Sequence, residues 1–386
     1  SGDWSSSSAT RSSMGGRKMP VLQRWIVRAG GVPPPGLRYP VGAVAPVPIH
    51  YATLVPSLLI DTDTGIDDAV AIALASRMPK LDVVAITTVH GNTDVARATR
   101  NAREVARRMS LSAPVIAGAP KPLRRPARPA RETHGEEGLG YVIPHDALRD
   151  EPDSAAAEIV ARSTKHPGLT LCMLGPLTNL ARAVSMDPTL PARLGEVFVM
   201  GGTVGVKGTM TEWSEFNWWS DPESVDEVLR AGFRLRLVPL DVTRRIAVPG
   251  HAIAVLRSAG ASDDMARFWA DALRFYADFH RSHERFDGCI VNDALAVALV
   301  ADALLADWYE IPISVSCSND ERRGAIVRGG TDATPVRIAL DVRARDVLSL
   351  IGNLLFSSWV SPELMAQGAS EAERWLRENR RAPAPR

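Results

Sequence analysis

The chain has 386 residues, 45% hydrophobic and 23% charged, a balance typical of a protein that buries a sizeable core. Its 45 basic and 44 acidic residues give a net charge of +1, so it lacks the basic excess expected of a nucleic-acid-binding protein. No apolar stretch reaches the roughly 18 residues of a membrane helix, and no signal peptide is recognisable, so we expect no membrane partner. Three widely spaced cysteines, Cys172, Cys289 and Cys317, favour a reducing compartment, and we expect a cytoplasmic protein.

The two ends of the chain differ in composition from its middle. The first 56 residues contain the serine run Ser5–Ser8 and the proline block Pro33–Pro35, and such a segment buries little apolar surface. We therefore predict a disordered N-terminal extension over residues 1–56, a catalytic domain over 57–376 and a loose C-terminal tail over 377–386.

Between these ends, short apolar runs alternate with helical patterns along the chain. We predict strands at 57–60, 81–88, 115–117, 169–173, 197–200 and 235–238, and helices at 67–77, 93–109, 154–163, 177–185, 222–231, 265–280 and 293–300. Apolar strands separated by helices are typical of a mostly parallel central sheet with helices on both faces, so the predicted fold class is α/β and Rossmann-like. Ligands of such sheets bind beyond the carboxyl ends of the strands.

A segment rich in arginine and proline, residues 121–131, lies between the third predicted strand and the next helix. It contains Arg124, Arg125, Arg128 and Arg131 together with three prolines. Two interpretations remain for it: a solvated surface loop, which we favour, and a loop that binds phosphate.

The most informative segment follows the first predicted strand, where Asp61, Asp63, Asp67 and Asp68 fall within eight residues and Gly65 permits a turn. Carboxylates stabilise helix N-termini, so a capped helix with a solvated acidic loop is the simplest alternative. Four converging carboxylates, however, repel one another and are costly to bury without a cation. Hard oxygen ligands favour Ca²⁺ or Mg²⁺ over zinc. Adjacent helical residues point about 100° apart, so Asp68 can face a metal while Asp67 faces a water.

This segment resembles the signature of the inosine–uridine-type nucleoside hydrolases, and the motifs that follow recur in the order of that family. They are Gly91-Asn92, His134-Gly135-Glu136-Glu137-Gly138-Leu139-Gly140, Leu174-Gly175-Pro176-Leu177-Thr178-Asn179-Leu180-Ala181, Met200-Gly201-Gly202, Glu215-Phe216-Asn217, Asp221-Pro222-Glu223 and Asn292-Asp293-Ala294-Leu295-Ala296-Val297-Ala298. Each motif is weak alone, but their order from about Ser57 to Trp375 is specific.

The resemblance implies the nucleoside hydrolase fold and a bound Ca²⁺. Its ligands would be Asp63, Asp68, Asp293 and the main-chain carbonyl of Leu174. Asp61 would not touch the metal but would help to orient the residues that bind it.

The resemblance also implies the reaction, which is hydrolysis of the N-glycosidic bond of a ribonucleoside or related N-riboside to ribose and free base. Asp67 would be the general base on the calcium-bound water. Asn92, Glu215 and Asn217 would hydrogen-bond the ribose hydroxyls. A homodimer or homotetramer is the implied assembly, and a small nucleoside the implied partner.

Two positions depart from the family pattern. The closing motif usually begins with a histidine that protonates the departing base, but Asn292 stands there and cannot transfer a proton at neutral pH. Thr209 stands six residues before Glu215, where a sugar-binding asparagine is usual.

Several residues could replace the missing acid. Tyr276 and His280 lie four residues apart on one helical face, and a histidine near its free pKa is a suitable acid; the alternative is that His280 lies in a basic surface run. His134 is a further candidate, with a loop-stabilising hydrogen bond as its alternative. Stacking of the base on aromatic residues such as Trp218 is a third option, with core packing as its alternative.

Two other functions remain open. The first is an aspartate-type phosphohydrolase, because the aspartate segment also resembles the nucleophile loop of those enzymes. They need a downstream lysine, however, and lysines are scarce in this chain. The pair Asp67 and Asp68 also has no role in their mechanism. The second is a catalytically impaired nucleoside-binding protein in which Asn292 marks lost activity. The accepted base is not predicted.

Overall fold

The computed structural model describes residues 55–378. These residues belong to one compact unit. Most of the predicted N-terminal extension and of the predicted C-terminal tail lies outside the described residues. Within residues 55–378, no helix is long and apolar enough to cross a lipid bilayer.

A nine-stranded sheet forms the centre of the described part, with a separate two-stranded sheet beside it. The strands are β1 (Ser57–Thr62), β2 (Asp82–Thr88), β3 (Val115–Ile116), β4 (Thr170–Met173), β5 (Glu196–Met200), β6 (Arg234–Val238), β7 (Ala247–Pro249), β8 (Gly288–Ile290), β9 (Ala306–Val315), β10 (Ile326–Arg328) and β11 (Thr334–Val342). The large sheet has the order β10-β9-β11-β6-β5-β4-β1-β2-β3, and β7 pairs with β8.

Helices connect most of these strands. The α-helices are α1 (Ile66–Arg77), α2 (Val95–Arg108), α3 (Arg131–His134), α4 (Ala155–Lys165), α5 (Thr178–Met186), α6 (Leu190–Arg193), α7 (Phe216–Ser220), α8 (Pro222–Arg230), α9 (Leu240–Thr243), α10 (Gly250–Ala259), α11 (Asp264–Phe279), α12 (Asn292–Ala301), α13 (Ala344–Ile351) and α14 (Pro362–Glu378). Two π-helical turns, His280–Glu284 and Gly352–Phe356, continue α11 and α13, and a 3₁₀ turn spans Ala303–Leu305.

Strand β1 marks the point where the chain changes direction across the sheet. It pairs in parallel with β2 on one side and with β4 on the other, so that Asp61 stands opposite both Thr87 and Met173. The chain therefore builds β2 and β3 outward on one side of β1, and β4 to β6 on the other. Ligands of open α/β sheets bind beyond the carboxyl ends of the strands at such a switch point.

The sheet is covered on both faces. Leu58 and Ile60 of β1 belong to one buried apolar cluster, whereas Leu59 between them belongs to another, as the alternation of side chains along a strand requires. Helix α1 is buried along most of its length, from Ile66 to Ala75, because it packs against α2, α11 and α12 and shares a buried apolar cluster with Leu58 and Ile60 of β1.

The predicted fold class is confirmed, and the predicted strands and helices appear with ends shifted by at most two residues. The strands β9 to β11 at one edge of the sheet, the small β7–β8 sheet and the helices α3, α6, α7, α9, α10, α13 and α14 were not predicted. Strand β9 is the clearest case, because exposed Asp307 and Glu310 interrupt its apolar residues and hide the strand pattern. The helix predicted to end at His280 ends at Phe279 and continues as a π-helix.

Candidate active site

A cavity of about 410 Å³ opens where β1, β4 and β5 end. Its volume is that of a site for a small molecule. Most of the residues predicted for a site line it, namely Asp67, Asn92, His134, Leu174, Thr209, Glu215, Asn217, Tyr276, His280, Asn292 and Asp293. The switch point of the sheet and the predicted site therefore coincide.

Asp63 and Asp68, which flank the turn between β1 and α1, are held by hydrogen bonds from Gly65 and Asn92. The main-chain N–H of Asn92 donates to Asp63 at 2.7 Å, and the main-chain N–H of Gly65 donates to Asp68 at 2.9 Å. The side-chain amide of Asn92 joins the two carboxylates, donating to Asp63 at 3.2 Å and to Asp68 at 2.9 Å. Asn92, which follows β2, therefore fixes both Asp63 and Asp68.

Two glycines allow this close approach. A Cβ atom at Gly91 would lie 1.9 Å from Oδ2 of Asp63, and one at Gly65 would lie 2.5 Å from Nδ1 of His134. Any side chain at either position would displace a polar group of the site. These glycines are therefore required by space, not by an unusual backbone angle.

The carboxylates of Asp67, Asp68 and Asp293 converge, since one oxygen of each lies within 4.8 Å of the others. Burial raises the pKa of Asp67 to about 6. Burial and neighbouring carboxylates also raise the pKa values of Asp63, Asp68 and Asp293. Oδ1 of Asp67 is buried without a hydrogen-bond partner in the described part of the chain. An oxygen-only group of this kind fits a hard divalent cation.

The predicted carbonyl ligand also lies at the cavity. The oxygen of Leu174 accepts a hydrogen bond from the Asn217 side-chain amide at 2.7 Å, and a carbonyl oxygen has a second lone pair for another partner. Asp61 is fully buried, and its Oδ2 accepts hydrogen bonds from Thr87 at 2.6 Å and from Asn179 at 2.7 Å. Burial raises the pKa of Asp61 to about 7, although both hydrogen bonds oppose this.

Asp67 is oriented by groups on the opposite side of the cavity. The Asn292 amide donates to its Oδ2 at 3.2 Å, and the Tyr276 hydroxyl donates to the same oxygen at 3.4 Å. The Asn292 amide is itself oriented, because its oxygen accepts a hydrogen bond from Thr243 at 2.8 Å. One oxygen of Asp67 is therefore held and the other is left for a ligand.

His134 is buried and lines the same cavity. Its Nδ1 accepts a hydrogen bond from the main-chain N–H of Ile66 at 3.2 Å. Burial lowers the pKa of His134 to about 4, so the ring is neutral and carries its proton on Nε2. Although Nδ1 lies 4.0 Å from Asp67, the two residues do not form an ion pair.

Tyr276 and His280 both line the cavity, with ring centroids 4.4 Å apart. Nδ1 of His280 donates to the Tyr276 carbonyl at 2.8 Å, and its Nε2 lies 3.9 Å from Glu284. Burial lowers the pKa of His280, and the charge of Glu284 partly opposes this. His280 is thus a buried cavity residue and not part of a surface run.

Glu284 and Arg244 are cavity residues that the sequence analysis missed. Arg244 donates to Glu284 at 3.3 Å. Glu284 continues the spacing of four from Tyr276 and His280, but it lies beyond the predicted end of the helix. Arg244 follows α9, and no local pattern identifies it.

Glu215 stands at the N-terminus of α7 and accepts hydrogen bonds from three main-chain N–H groups, those of Gly202 at 3.0 Å, Asn217 at 2.7 Å and Trp218 at 3.1 Å. Burial nevertheless raises the pKa of Glu215 to about 7. The Thr209 hydroxyl accepts from the Phe216 N–H at 3.0 Å. Thr209 therefore supports the start of α7, and its hydroxyl proton is still available to a ligand.

Trp218 is not at the cavity. Only 2% of its surface is exposed, and it packs in the second apolar cluster. Adjacent helical residues point in different directions, so Asn217 of α7 faces the cavity while Trp218 faces the core. The described aromatic side chains that line the cavity, apart from histidines, are Phe216, Tyr276 and Phe279. Stacking by Trp218 is therefore not supported by its position.

Comparisons with known proteins bear on this site. Residues 58–349 match the family model described as inosine-uridine preferring nucleoside hydrolase. The inosine-uridine preferring nucleoside hydrolase of Leishmania major is 34% identical over 280 residues, which cover 71% of this chain and 86% of that protein. A solved plant nucleoside hydrolase superposes with a TM-score of 0.73 at 30% identity, covering 78% of this chain and 100% of that one. A purine-preferring ribonucleoside hydrolase from Gardnerella vaginalis superposes with a TM-score of 0.71 at 25% identity, covering 82% and 99%.

Proposed function

Because this chain belongs to the inosine-uridine preferring nucleoside hydrolase family and is therefore an N-glycosyl hydrolase, we propose that it cleaves the N-glycosidic bond of a ribonucleoside with water. The products are ribose and the free base. The main support for this proposal is that Asp67, Asp68 and Asp293 converge in a cavity that also presents polar groups for a sugar.

In this proposal Asp63, Asp68, Asp293 and the Leu174 carbonyl hold one Ca²⁺. When bound, the cation lowers the pKa of water and offsets the repulsion between the carboxylates. The convergence of buried carboxylates and their raised pKa values support a cation at this place.

Asp67 accepts the proton of the attacking water. Its Oδ1 has no hydrogen-bond partner among residues 55–378, whereas Oδ2 is held by Asn292 and Tyr276. A base held by one oxygen keeps the other in a fixed direction, which positions it for proton transfer. Asn292 thus orients the base, and it has no proton to give to the leaving group.

The ribose is bound by Asn92, Glu215 and Asn217, with Thr209 at the edge. These side chains line the cavity, and Glu215 and Asn217 are held by α7. Breaking the N-glycosidic bond leaves positive charge on the sugar. The nearby carboxylates stabilise this charge because they are fixed in place before the reaction begins.

The leaving base takes its proton from His280, which Tyr276 positions. In the protonated ring, Nδ1 stays bonded to the Tyr276 carbonyl and Nε2 donates. Both residues line the cavity, which supports this assignment. The neutral His134, whose Nε2 carries a proton, binds the substrate as a hydrogen-bond donor.

The deciding experiment measures ribose release from inosine, uridine, adenosine and cytidine by metal-stripped protein before and after calcium is added. We expect activity on at least one nucleoside to return with calcium. Asp68→Ala should lose bound calcium, whereas the exposed Asp307→Ala, our matched control, should keep it. Nucleoside binding without ribose release would instead indicate a binding protein. Hydrolysis of a phosphate monoester alone would indicate a phosphohydrolase.

The homodimer or homotetramer stays a prediction. Light scattering on the purified chain tests it, and a monomer at micromolar concentration would contradict it.

A further inference from the structure

A second cavity, of about 390 Å³, lies on the other side of α7. We name it the arginine cavity, and the residues that line it are Pro122, Arg125, Pro126, Ala127, Arg128, Trp219, Ser220 and Arg323. No carboxylate is among the described residues of this lining. Helix α7 separates it from the first cavity, since Phe216 and Asn217 line one and Trp219 and Ser220 line the other.

One of its three arginines is already neutralised. Arg323 is buried and makes two hydrogen bonds to Glu223, at 3.2 and 3.3 Å, and another to the Trp219 carbonyl at 3.0 Å. These bonds use all three nitrogens of the guanidinium, and the Glu223 carboxylate balances its charge. Arg323 therefore forms part of the wall and does not leave a free charge.

The other two arginines are not neutralised. Arg125 has no hydrogen bond or ion pair in the part of the chain that the structure describes. The guanidinium of Arg128 lies 5.6 Å from the Trp219 ring centroid and has no carboxylate partner within residues 55–378. Two positive charges thus face one cavity beside an aromatic ring.

The loop that carries these arginines is held at both ends. The Leu123 N–H donates to the buried Asp221 at 3.1 Å, and the Ala130 N–H donates to the Asn92 carbonyl at 3.0 Å. Three prolines within the loop fix its backbone further. The backbone that carries the arginines is therefore positioned before any ligand binds, which lowers the entropy that the loop loses on binding.

Arg124, in the same loop, has different surroundings. It lines another cavity, of about 670 Å³, together with Asp153, Glu227 and Arg182. There the positive charges are balanced by carboxylates. Arg124, next in sequence to Arg125, thus provides a matched control for charge and loop position.

We propose that the arginine cavity binds the phosphate group of a small molecule. Arg125 and Arg128 donate charge-assisted hydrogen bonds to the phosphate oxygens, since the guanidinium fork matches that group. Trp219 offers a ring on which an attached base can stack. The phosphate group is shared by inorganic phosphate, sugar phosphates and nucleotides, and this binding is independent of the hydrolysis of nucleosides.

Calorimetric titration of the full chain with inorganic phosphate, ribose 5-phosphate and uridine 5′-monophosphate tests the proposal. We expect saturable binding of at least one probe, and a Kd raised about tenfold or more by Arg125→Ala or Arg128→Ala. Arg124→Ala should leave the Kd unchanged. All three variants should keep the thermal unfolding temperature of the parent and its rate of ribose release.

Trp219→Leu distinguishes the sources of the phosphate. Weaker binding of the nucleotide alone would identify a nucleotide, and equal binding of all three probes would identify the phosphate group by itself. No saturable binding of any probe at about 10 mM would overturn the proposal. So would an equal loss in Arg124→Ala and Arg125→Ala, because that indicates only the overall charge of the loop.

Discussion

The two sides of the main cavity are built in different ways. The carboxylate side consists of Asp63, Asp67 and Asp68 at the end of one strand and the start of α1, where main-chain N–H groups and Asn92 hold Asp63 and Asp68 at 2.7 to 3.2 Å. The helical side consists of Tyr276 and His280. Nδ1 of His280 donates to the Tyr276 carbonyl at 2.8 Å, whereas the Tyr276 hydroxyl and Nε2 of His280 lie 3.4 to 3.9 Å from Asp67, Asn292 and Glu284. The proposed metal ligands Asp63 and Asp68 are therefore fixed by short bonds, while the Tyr276 hydroxyl and Nε2 of His280, which face the leaving group, have room to adjust.

The largest effect should come from the carboxylate side. Asp67→Asn should lower kcat/KM about 10²–10⁴-fold, the usual contribution of a positioned acid–base group. The fold and the bound calcium should persist, because the proposed metal ligands are unchanged. Steady-state ribose release together with metal analysis measures both. Near-normal turnover by this variant would show that Asp67 is not the base.

Gly91→Ala should have the next largest effect. The added Cβ would lie 1.9 Å from Oδ2 of Asp63, so this carboxylate must move. A displacement of about 1 Å in a site can cost about 10²-fold in rate. Gly205→Ala is the matched control, since the nearest atom there, Oδ1 of Asp241, is 3.2 Å away. Equal activities of the two variants would contradict the tight fixing of the carboxylate side.

His280→Ala tests the helical side and should have a smaller effect. Burial lowers the pKa of His280, so only part of the protein carries the donated proton at neutral pH. We expect a roughly tenfold loss of kcat/KM on natural nucleosides, below the usual range for an acid. A nitrophenyl riboside, whose leaving group needs no proton, should be hydrolysed at the parent rate. Equal loss on both substrates would remove His280 from the reaction.

The smallest effect concerns pH and stability. Asp61 and Asp67 have an ordinary pKa of 3.8, and burial raises it to about 7 and about 6. Between about pH 4 and 7 these two carboxyls therefore bind more protons in the calcium-free folded chain than in the unfolded chain, and their contribution to stability falls as pH rises. Calcium binds the ionised carboxylates.

The rise in unfolding temperature on adding calcium should consequently be larger at pH 8 than at pH 5. Scanning calorimetry with and without calcium measures this difference. Histidines outside the cluster contribute equally to the measurements with and without calcium, so their effect cancels. A calcium effect that is equal at the two pH values would show that the buried carboxylates do not gain their stability from the cation.

The same contrast explains what the sequence could predict. The carboxylate side was predicted residue by residue, because a strand, a glycine turn and a helix N-terminus are local patterns. Glu284 was missed because α11 was predicted to end at His280, and the π-helical turn is a tertiary feature. Trp218 was placed at the cavity because sequence does not reveal which way a five-residue helix turns its side chains.

Helix α1 has one more consequence. Its residues from Ile66 to Ala75 are buried, and the same helix carries Asp67 and Asp68. The chain therefore cannot complete its core without also bringing these carboxylates together. Refolding at pH 8 should then proceed more slowly in a chelator than with calcium, since the ion removes an electrostatic barrier to closing the core. At pH 5, where protonation of the carboxylates removes the same electrostatic barrier, the refolding rates with calcium and with chelator should approach each other.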